Sequence, residues 1–235
     1  MKKTALLLIA VVALFGSCRI ETAKDLGPET TRTITTQAFD KLVISISTDV
    51  EYVPSDTFSV TITGSEKALD RVGLTVANRT LHITQDGQKE EKNVEWVINN
   101  GGVAVSKIVV HAPSLTCVNL AGSACFTCNK AVKTPELELR VIGSGDIEMA
   151  DVEADDVKVG VAGSGIVNAH LARTATTTVD VAGSGDVSLK LAGCGSVAVG
   201  ITGSGYVTLS GNAQTLKQSV TGSGVIDTDN LKLTK

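Results

Sequence analysis

Residues 143–205 have the sequence GSGDIEMADVEADDVKVGVAGSGIVNAHLARTATTTVDVAGSGDVSLKLAGCGSVAVGITGSG, and this stretch decides the fold. Its tripeptide Gly-Ser-Gly occurs five times in the chain, at 143–145, 163–165, 183–185, 203–205 and 222–224. The steps between copies are 20, 20, 20 and 19 residues, and self-similarity at such a period is typical of stacked repeats. Gly193-Cys194-Gly195 falls halfway between two copies, so each repeat consists of two decamers.

Apolar and polar residues alternate within each decamer. In 183–192, for example, Val187, Leu189 and Leu191 alternate with Ser188 and Lys190. A period of two predicts strands with one buried face. We therefore expect each decamer to form a strand of about seven residues followed by a corner of about three.

Two arrangements satisfy this pattern: an antiparallel meander, and a β-solenoid in which one repeat makes one coil. In a solenoid each corner lies on the corner of the previous coil, about 4.8 Å away, so the same small residues are needed at every level. A meander has no such need. The sequence therefore favours an all-β fold, a right-handed parallel β-helix (β-solenoid) with about 20-residue repeats, its hand taken from the crossover rule.

The corner glycines have a structural role in this interpretation, because glycine permits positive φ and close approach of neighbouring backbones. They are Gly143, Gly145, Gly163, Gly165, Gly183, Gly185, Gly203, Gly205, Gly222 and Gly224.

The region before the repeats also has strand patterns. Alternation is present at 39–48, 58–64, 74–77 and 81–84, with one or two helical turns expected within 66–72, a turn at 78–80 and a charged loop at 85–102. No linker-like composition separates this region from the repeats. Residues 33–235 are therefore predicted to form a single domain in which the N-terminal strands cover or extend the first coils.

The first eighteen residues resemble a bacterial lipoprotein signal. Lys2 and Lys3 precede the apolar run 4–15, which is short for a spanning helix, and the run is followed by Ser17 and Cys18. We predict a signal peptide over 1–17, lipidation of Cys18 and a tether over 18–32. This predicts contact with a membrane through the lipid anchor and a cell-envelope location, in the outer membrane. An ordinary secretory peptide and an uncleaved anchor are the alternatives.

Composition excludes several classes of function. The 235-residue chain has 43% hydrophobic residues but only 3% aromatic ones, which disfavours a helix bundle, a cofactor-rich enzyme and a polytopic membrane protein. Its net charge of −4 provides no basic stripe for nucleic acid, so no nucleic-acid partner is predicted. No cofactor is predicted either.

The cysteines and histidines suggest little chemistry. Cys125 and Cys128 have the spacing of a redox pair or of half a zinc site, but no second such pair exists. Whether Cys117, Cys125, Cys128 and Cys194 form disulfides stays open at this point. The three histidines, His82, His111 and His170, lie in separate predicted strands and suggest no catalytic triad.

The carboxylates do not form a stacked site either. Asp146 and Asp186 have the same position in the repeat, but Ile166 has that position in the coil between them. Asp155 and Asp156 are expected to be solvated, as most outward acids of a solenoid are. We therefore predict no metal site and no catalytic residues, and treat the protein as a non-enzyme.

Two aromatic residues are candidate ligand contacts. Tyr206 stands at an outward repeat position, and Trp96 lies in the charged loop. Either could stack against a sugar ring.

The runs FDKLVI at 39–44, FSVTITG at 58–64 and LHIT at 81–84, followed by Gly-Ser-Gly-Asp at 143–146 and 183–186, resemble the bacterial head GIN domain family. The resemblance covers roughly residues 33–232. It implies a parallel β-helix, a lipoprotein of Bacteroidetes type and an adhesin label, and it supplies no catalytic residues.

The expected function is that of a cell-envelope lipoprotein acting as a non-enzymatic binding or adhesion module. The expected partner is a glycan or a surface protein. A structural scaffold or spacer that forms homo-oligomers is the alternative, and a carbohydrate-active β-helix enzyme is the third hypothesis. Fold alone does not decide among them.

Overall fold

The computed structural model describes residues 27–85 and 105–234. The chain is all-β, with 78% strand, and forms a β-solenoid of about six turns with repeats about 20 residues apart. Successive coils pair in parallel, as in Asp156–Gly163 against Thr176–Gly183. The predicted β-solenoid is therefore confirmed, and the antiparallel meander is wrong for the repeats.

The N-terminal elements are β1 (Glu29–Thr35), β2 (Lys41–Ser45), β3 (Asp49–Pro54), β4 (Ser59–Ser65), α1 (Glu66–Leu69), β5 (Val72–Ala77), β6 (Thr80–Gln85) and β7 (Val105–Ala112). The repeat elements are β8 (Cys117–Gly122), β9 (Cys125–Gly143), β10 (Asp146–Gly163), β11 (Ile166–Ala172), β12 (Thr176–Gly183), β13 (Asp186–Gly203), β14 (Tyr206–Gly222) and β15 (Val225–Leu233).

Several of these strands are longer than the seven residues expected. β9, β10, β13 and β14 each pass around the second corner of their coil without a break in strand structure. The cause is that parallel pairing with the next coil continues around this corner, as between β9 and β10. Only the Gly-Ser-Gly corners interrupt the strands in every repeat.

All fifteen strands of the described residues belong to one continuous sheet that winds around the core. Each coil contributes one segment to each of two layers of it, which we call the two sheets, and this gives the solenoid two outward faces. Residues that follow a Gly-Ser-Gly corner form the Tyr206 face, where Asp146, Ile166, Asp186, Tyr206 and Val225 lie in one register. Residues that precede the next corner form the Asp180 face, where Arg140, Gly160, Asp180, Gly200 and Ser219 lie in one register.

The core lies between the two sheets and is filled by aliphatic side chains. Val187, Leu189 and Leu191, which alternate with exposed residues, are each 1% exposed. At the N-terminal end Phe39 packs against Phe58 edge to face, with ring centroids 5.6 Å apart. The apolar positions of the decamers therefore face inward as their period predicted.

The N-terminal strands extend the solenoid, as predicted, but not in chain order. β2 lies between β6 and β8, and β3 lies between β7 and β9, all in parallel. Antiparallel strands complete this end: β5 beside β6, and β4 then β1 beside β7. The short helix α1 has the buried residues Ala68 and Leu69 and lies between β4 and β5.

β1 begins inside the predicted tether. Its residues Glu29–Thr35 pair with Ser59–Ser65, although the tether was expected to continue to residue 32. The side chains of Thr31 and Thr33 lie 3.0 Å from those of Thr63 and Thr61, oxygen to oxygen. This run has no apolar alternation, so the pairing with β4 decides its structure. The proposed signal peptide and Cys18 lie outside the described residues, as does Trp96.

Across the described ranges, no helix is both long and apolar enough to cross a membrane.

Candidate functional site

The Gly-Ser-Gly corners stack directly on one another. The first glycines have positive φ, for example +130° at Gly163 and +125° at Gly183. The following serine N–H donates to the corner below, as from Ser184 to the Gly163 carbonyl at 2.8 Å. A Cβ on Gly183 would lie 2.4 Å from that carbonyl oxygen. The stack is therefore closed to side chains and is built of backbone.

A different contact prevents substitution of the second glycine of each corner. At Gly185 a Cβ would lie 2.5 Å from Val161 Cγ1 and 2.7 Å from the Gly165 carbonyl oxygen. These glycines show no positive φ, so crowding rather than backbone conformation requires them. The ten corner glycines thus line a structural edge and offer no ligand-binding group beyond the serine hydroxyls.

Tyr206 lies on the Tyr206 face with 42% of its surface exposed. Its hydroxyl donates to Asp227 Oδ2 at 3.2 Å, and this hydrogen bond to a carboxylate raises the pKa of Tyr206. Asp186 precedes it and Val225 follows it in the same register. The ring is therefore an exposed aromatic surface whose polar end is oriented by an acid.

The Asp180 face is made mostly of small residues. Between the outward side chains is a shallow, open hollow of about 210 Å³, lined by Thr178, Asp180, Ala198, Val199, Gly200, Lys217, Gln218 and Ser219. A Cβ at Gly200 would lie 3.1 Å from Asp180 Oδ1, so the glycine leaves the carboxylate accessible. The hollow is too open to exclude water from a reaction.

Charged side chains cluster near the second corner. His170 Nδ1 lies 2.6 Å from Asp151 Oδ1. Glu153 accepts from Lys133 Nζ at 2.9 Å and also from Arg173. These two hydrogen bonds lower the pKa of the Glu153 carboxyl. The cluster is an exposed network in which Glu153 has two basic partners and Asp151 contacts an imidazole.

The cysteines do not converge. Cys125 points outward and Cys128 points into the core, because residues three apart in a strand lie on opposite faces. Cys117, Cys125, Cys128 and Cys194 are all free, so no disulfide joins them. Burial raises the pKa values of Cys117, Cys125 and Cys128, which keeps them as thiols. Cys194 is buried, its thiol 3.5 Å from the Leu171 carbonyl.

The acids and the other histidines are also dispersed. Ile166 separates Asp146 from Asp186, as expected from the repeat. His82 lies in β6 and His111 in β7, two strands that do not pair with each other. Among the described residues, no three His, Cys, Asp or Glu side chains are grouped as metal ligands would be.

Comparison with known proteins places these features in a family. A family model described as "Putative auto-transporter adhesin, head GIN domain" matches residues 38–188 and 169–235. No match was found among proteins of curated function.

Solved structures share the fold. A putative adhesin from Bacteroides fragilis aligns with a TM-score of 0.68 and 19% identity, covering 85% of this chain and 96% of its own. A putative lipid binding protein from Parabacteroides distasonis aligns with a TM-score of 0.64 and 23% identity, covering 86% and 96%. A putative adhesin from the same organism has a TM-score of 0.58 and 18% identity, with coverage of 86% and 97%. At these identities the likeness concerns the fold.

Proposed function

Because the chain belongs to the "Putative auto-transporter adhesin, head GIN domain" family, we propose that it is a non-enzymatic binding module of the cell envelope. Cys18 carries acyl chains that hold the protein to a membrane, and the residues before Glu29 separate the lipid from the solenoid. More than one chain on a single residue holds a protein to a bilayer, whereas one chain is marginal. The outer membrane is the proposed location.

The anchor is tested by changing Cys18 to Ser. We expect the variant to lose labelling by a fatty-acid analogue and to move from the membrane fraction to the soluble fraction. Cys125→Ser is the matched control, because this partly exposed thiol lies in the solenoid and should leave partitioning unchanged. Equal membrane partitioning of the wild type and Cys18→Ser would refute the anchor.

Tyr206 is the observation that supports a ligand surface on the Tyr206 face. A sugar has apolar ring faces and polar hydroxyl groups, and an exposed tyrosine provides apolar area with a polar end. Asp186 and Asp227 lie beside the ring as acceptors for sugar hydroxyls. Asp146 and Asp229 add negative charge to the same side, so the proposed ligand is a neutral glycan rather than an acidic one.

An array of neutral and acidic oligosaccharides, followed by titration of those that bind, tests this proposal. We expect neutral glycans to bind, and Tyr206→Ala to weaken binding at least tenfold. Ile166→Ala is the control, since Ile166 lies two coils away in the same register and is 36% exposed. Absence of neutral-glycan binding, or an equal loss in both variants, would contradict the proposal. Each site binds weakly, and many copies on one surface hold the ligand more tightly than a single site does, because the later contacts form at a high effective concentration.

No turnover is expected. The acids nearest the second corner, Asp155 and Asp156, are exposed, and catalysis requires groups with tuned pKa values around one substrate. Purified protein should release no unsaturated sugars from polygalacturonate or alginate, with or without calcium. Release that disappears in Asp155→Asn or Asp156→Asn would restore the enzyme hypothesis.

A further inference from the structure

We propose that the C-terminal end of the solenoid is a self-association surface, through which two copies of this chain pair tail to tail. This tail surface consists of residues 215–222, the second half of β14, together with β15. The proposal does not rest on glycan binding, although β15 also contributes Val225 and Asp227 to the Tyr206 face.

Both strands of the tail surface are sheet edges. β15 pairs with the first half of β14, and residues 215–222 pair with the second half of β13. In the part of the chain that the structure describes, no strand pairs with the other side of either one. Edge strands present unpaired N–H and C=O groups, which favour addition of another strand.

The core is uncovered at the same place. Ile201 is 2% exposed, but Val220, in the same register one coil later, is 43% exposed. Leu233 is 58% exposed, whereas Ala213 in the previous coil is buried. Leu216, Ile226 and Leu231 are only partly buried against the core. Gln218 takes the position of Val199 one coil later, so the uncovered surface contains polar as well as apolar side chains. A surface of this composition suits a reversible contact.

The opposite end of the solenoid also has edge strands, but its core is closed. There α1 buries Ala68 and Leu69, and the antiparallel strands β1 and β5 form the edges. Arg32 of β1 forms an ion pair with Asp70, which adds charge to that end. The two ends therefore differ, and head-to-tail stacking into a filament is not favoured. A patch that pairs with its own copy gives a closed dimer with two-fold symmetry.

The geometry of the two sheets suits that symmetry. A two-fold axis perpendicular to both sheets brings β15 antiparallel to its copy, and residues 215–222 antiparallel to theirs. Each sheet then continues from one protein into the other, and the apolar residues meet between the sheets. The tail surface contains Lys217 and Lys232 with Asp227 and Asp229, so it is neutral and two copies do not repel. Antiparallel pairing of β15 with its copy lets Lys232 of one copy approach Asp227 and Asp229 of the other.

The area is sufficient for a reversible dimer. The length of the strands sets one dimension of this end at roughly 30 Å, and the two sheets with their outward side chains set the other at roughly 20 Å. Two such ends bury about 1,200 Å², which is the lower limit of a standard stable interface. We therefore expect a dimer that dissociates on dilution.

Light scattering on the full chain in a mild detergent, over a wide concentration range, measures this equilibrium. We expect a monomer–dimer transition in the wild type and a dissociation constant at least tenfold higher in the double variant Val220→Lys, Leu233→Lys. Ile142→Lys is the matched control, because Ile142 is 46% exposed but lies in the middle of the Asp180 face. Circular dichroism checks that each variant is folded.

A protein that is monomeric at every concentration, or a control that dissociates as much as the tail variant, would overturn the proposal. The surface would then be available to a different protein or to a lipid. Growth beyond the dimer would also overturn it, because a closed two-fold pair cannot extend.

Cysteine cross-linking tests the orientation in intact cells. Asn230 lies near the middle of β15. Oxidation of the Asn230→Cys variant should therefore join two copies into a disulfide dimer on a non-reducing gel. Arg32→Cys, in the edge strand at the closed end, should remain monomeric. The wild type gives the background from its own thiols. Cross-linking through residue 32 instead of 230 would show that the opposite end associates.

Discussion

Each Gly-Ser-Gly corner leaves no space for one additional carbon, and this requirement acts at the scale of a single residue. Gly183 combines a φ of +125° with a neighbouring carbonyl oxygen 2.4 Å from where its Cβ would be. Backbone strain and close contact both disfavour any other residue there. The repeated glycine is thus a consequence of stacking the same corner on itself.

We expect Gly183→Ala to lower the free energy of unfolding by about 3 kcal/mol, since added volume in a closely packed site and positive φ each cost roughly 1–3 kcal/mol. Urea denaturation measures this change in the free energy of unfolding. Gly160→Ala is the control, because Gly160 has no positive φ and its Cβ would lie 4.0 Å from Arg140 Cγ. Equal stability of the two variants would show that the corners tolerate side chains.

The thiols provide a second prediction at this scale. Burial, followed by the charge of Glu138, raises the pKa of Cys117, and burial followed by nearby acids raises that of Cys125. Only the thiolate is alkylated, so both should react slowly with iodoacetamide at pH 8 and faster as the pH rises above 9. Cys128 and Cys194, which are buried, should react only in denaturant. Peptide mapping by mass spectrometry measures the labelling of each cysteine. Fast labelling of Cys117 or Cys125 at pH 8 would contradict the prediction.

At the scale of the element, the β5–β6 hairpin depends on one arginine. Asn78 and Arg79 both have positive φ, 50° and 59°, as a two-residue turn requires. Arg79 also donates from Nε and a terminal nitrogen to Asp40 Oδ2, at 3.1 and 3.0 Å. The turn is therefore held to the start of β2 by an ion pair while its backbone is strained.

These two effects can be separated by substitution. Arg79→Ala removes the ion pair and keeps the strain, whereas Arg79→Gly removes both. We expect the alanine variant to be about 1 kcal/mol less stable than the glycine variant, the cost of positive φ for a residue with a Cβ. Thermal melting of the alanine and glycine variants measures the difference in their stability. If the glycine variant were the less stable one, the turn conformation would not carry strain.

At the scale of the whole molecule, stability should vary along the solenoid. Each coil contacts only its neighbours, so an end coil has half the support of a central one. Residues 215–233 have one paired side and partly exposed apolar side chains, whereas residues 137–141 and 157–161 lie within the stack.

Native-state hydrogen exchange at low protein concentration should therefore show early exchange of the amides in 215–233 and the slowest exchange in 137–161. The difference should shrink at high concentration, because dimer formation covers the tail surface. Uniform protection along the solenoid at low concentration would contradict this.

Sequence determined what repeats. The 20-residue period and the alternation of Val187, Leu189 and Leu191 predicted the solenoid, the inward residues and the corner glycines. These properties are local, and each recurs in every coil, so one chain contains several copies of the same signal. The expected dispersal of the acids followed from the same period, and the structure places Ile166 between Asp146 and Asp186 accordingly.

Tertiary structure alone decided what does not repeat. An irregularity between Met149 and Val152 brings Asp151 to His170, although the strict repeat would place Ala150 there. β2 lies between β6 and β8, and β1 forms without a strand pattern of its own. The tail surface likewise depends on which coil is last in the stack. Each of these features depends on hydrogen bonds between segments distant in sequence, and the periodicity of the residues does not specify such partners.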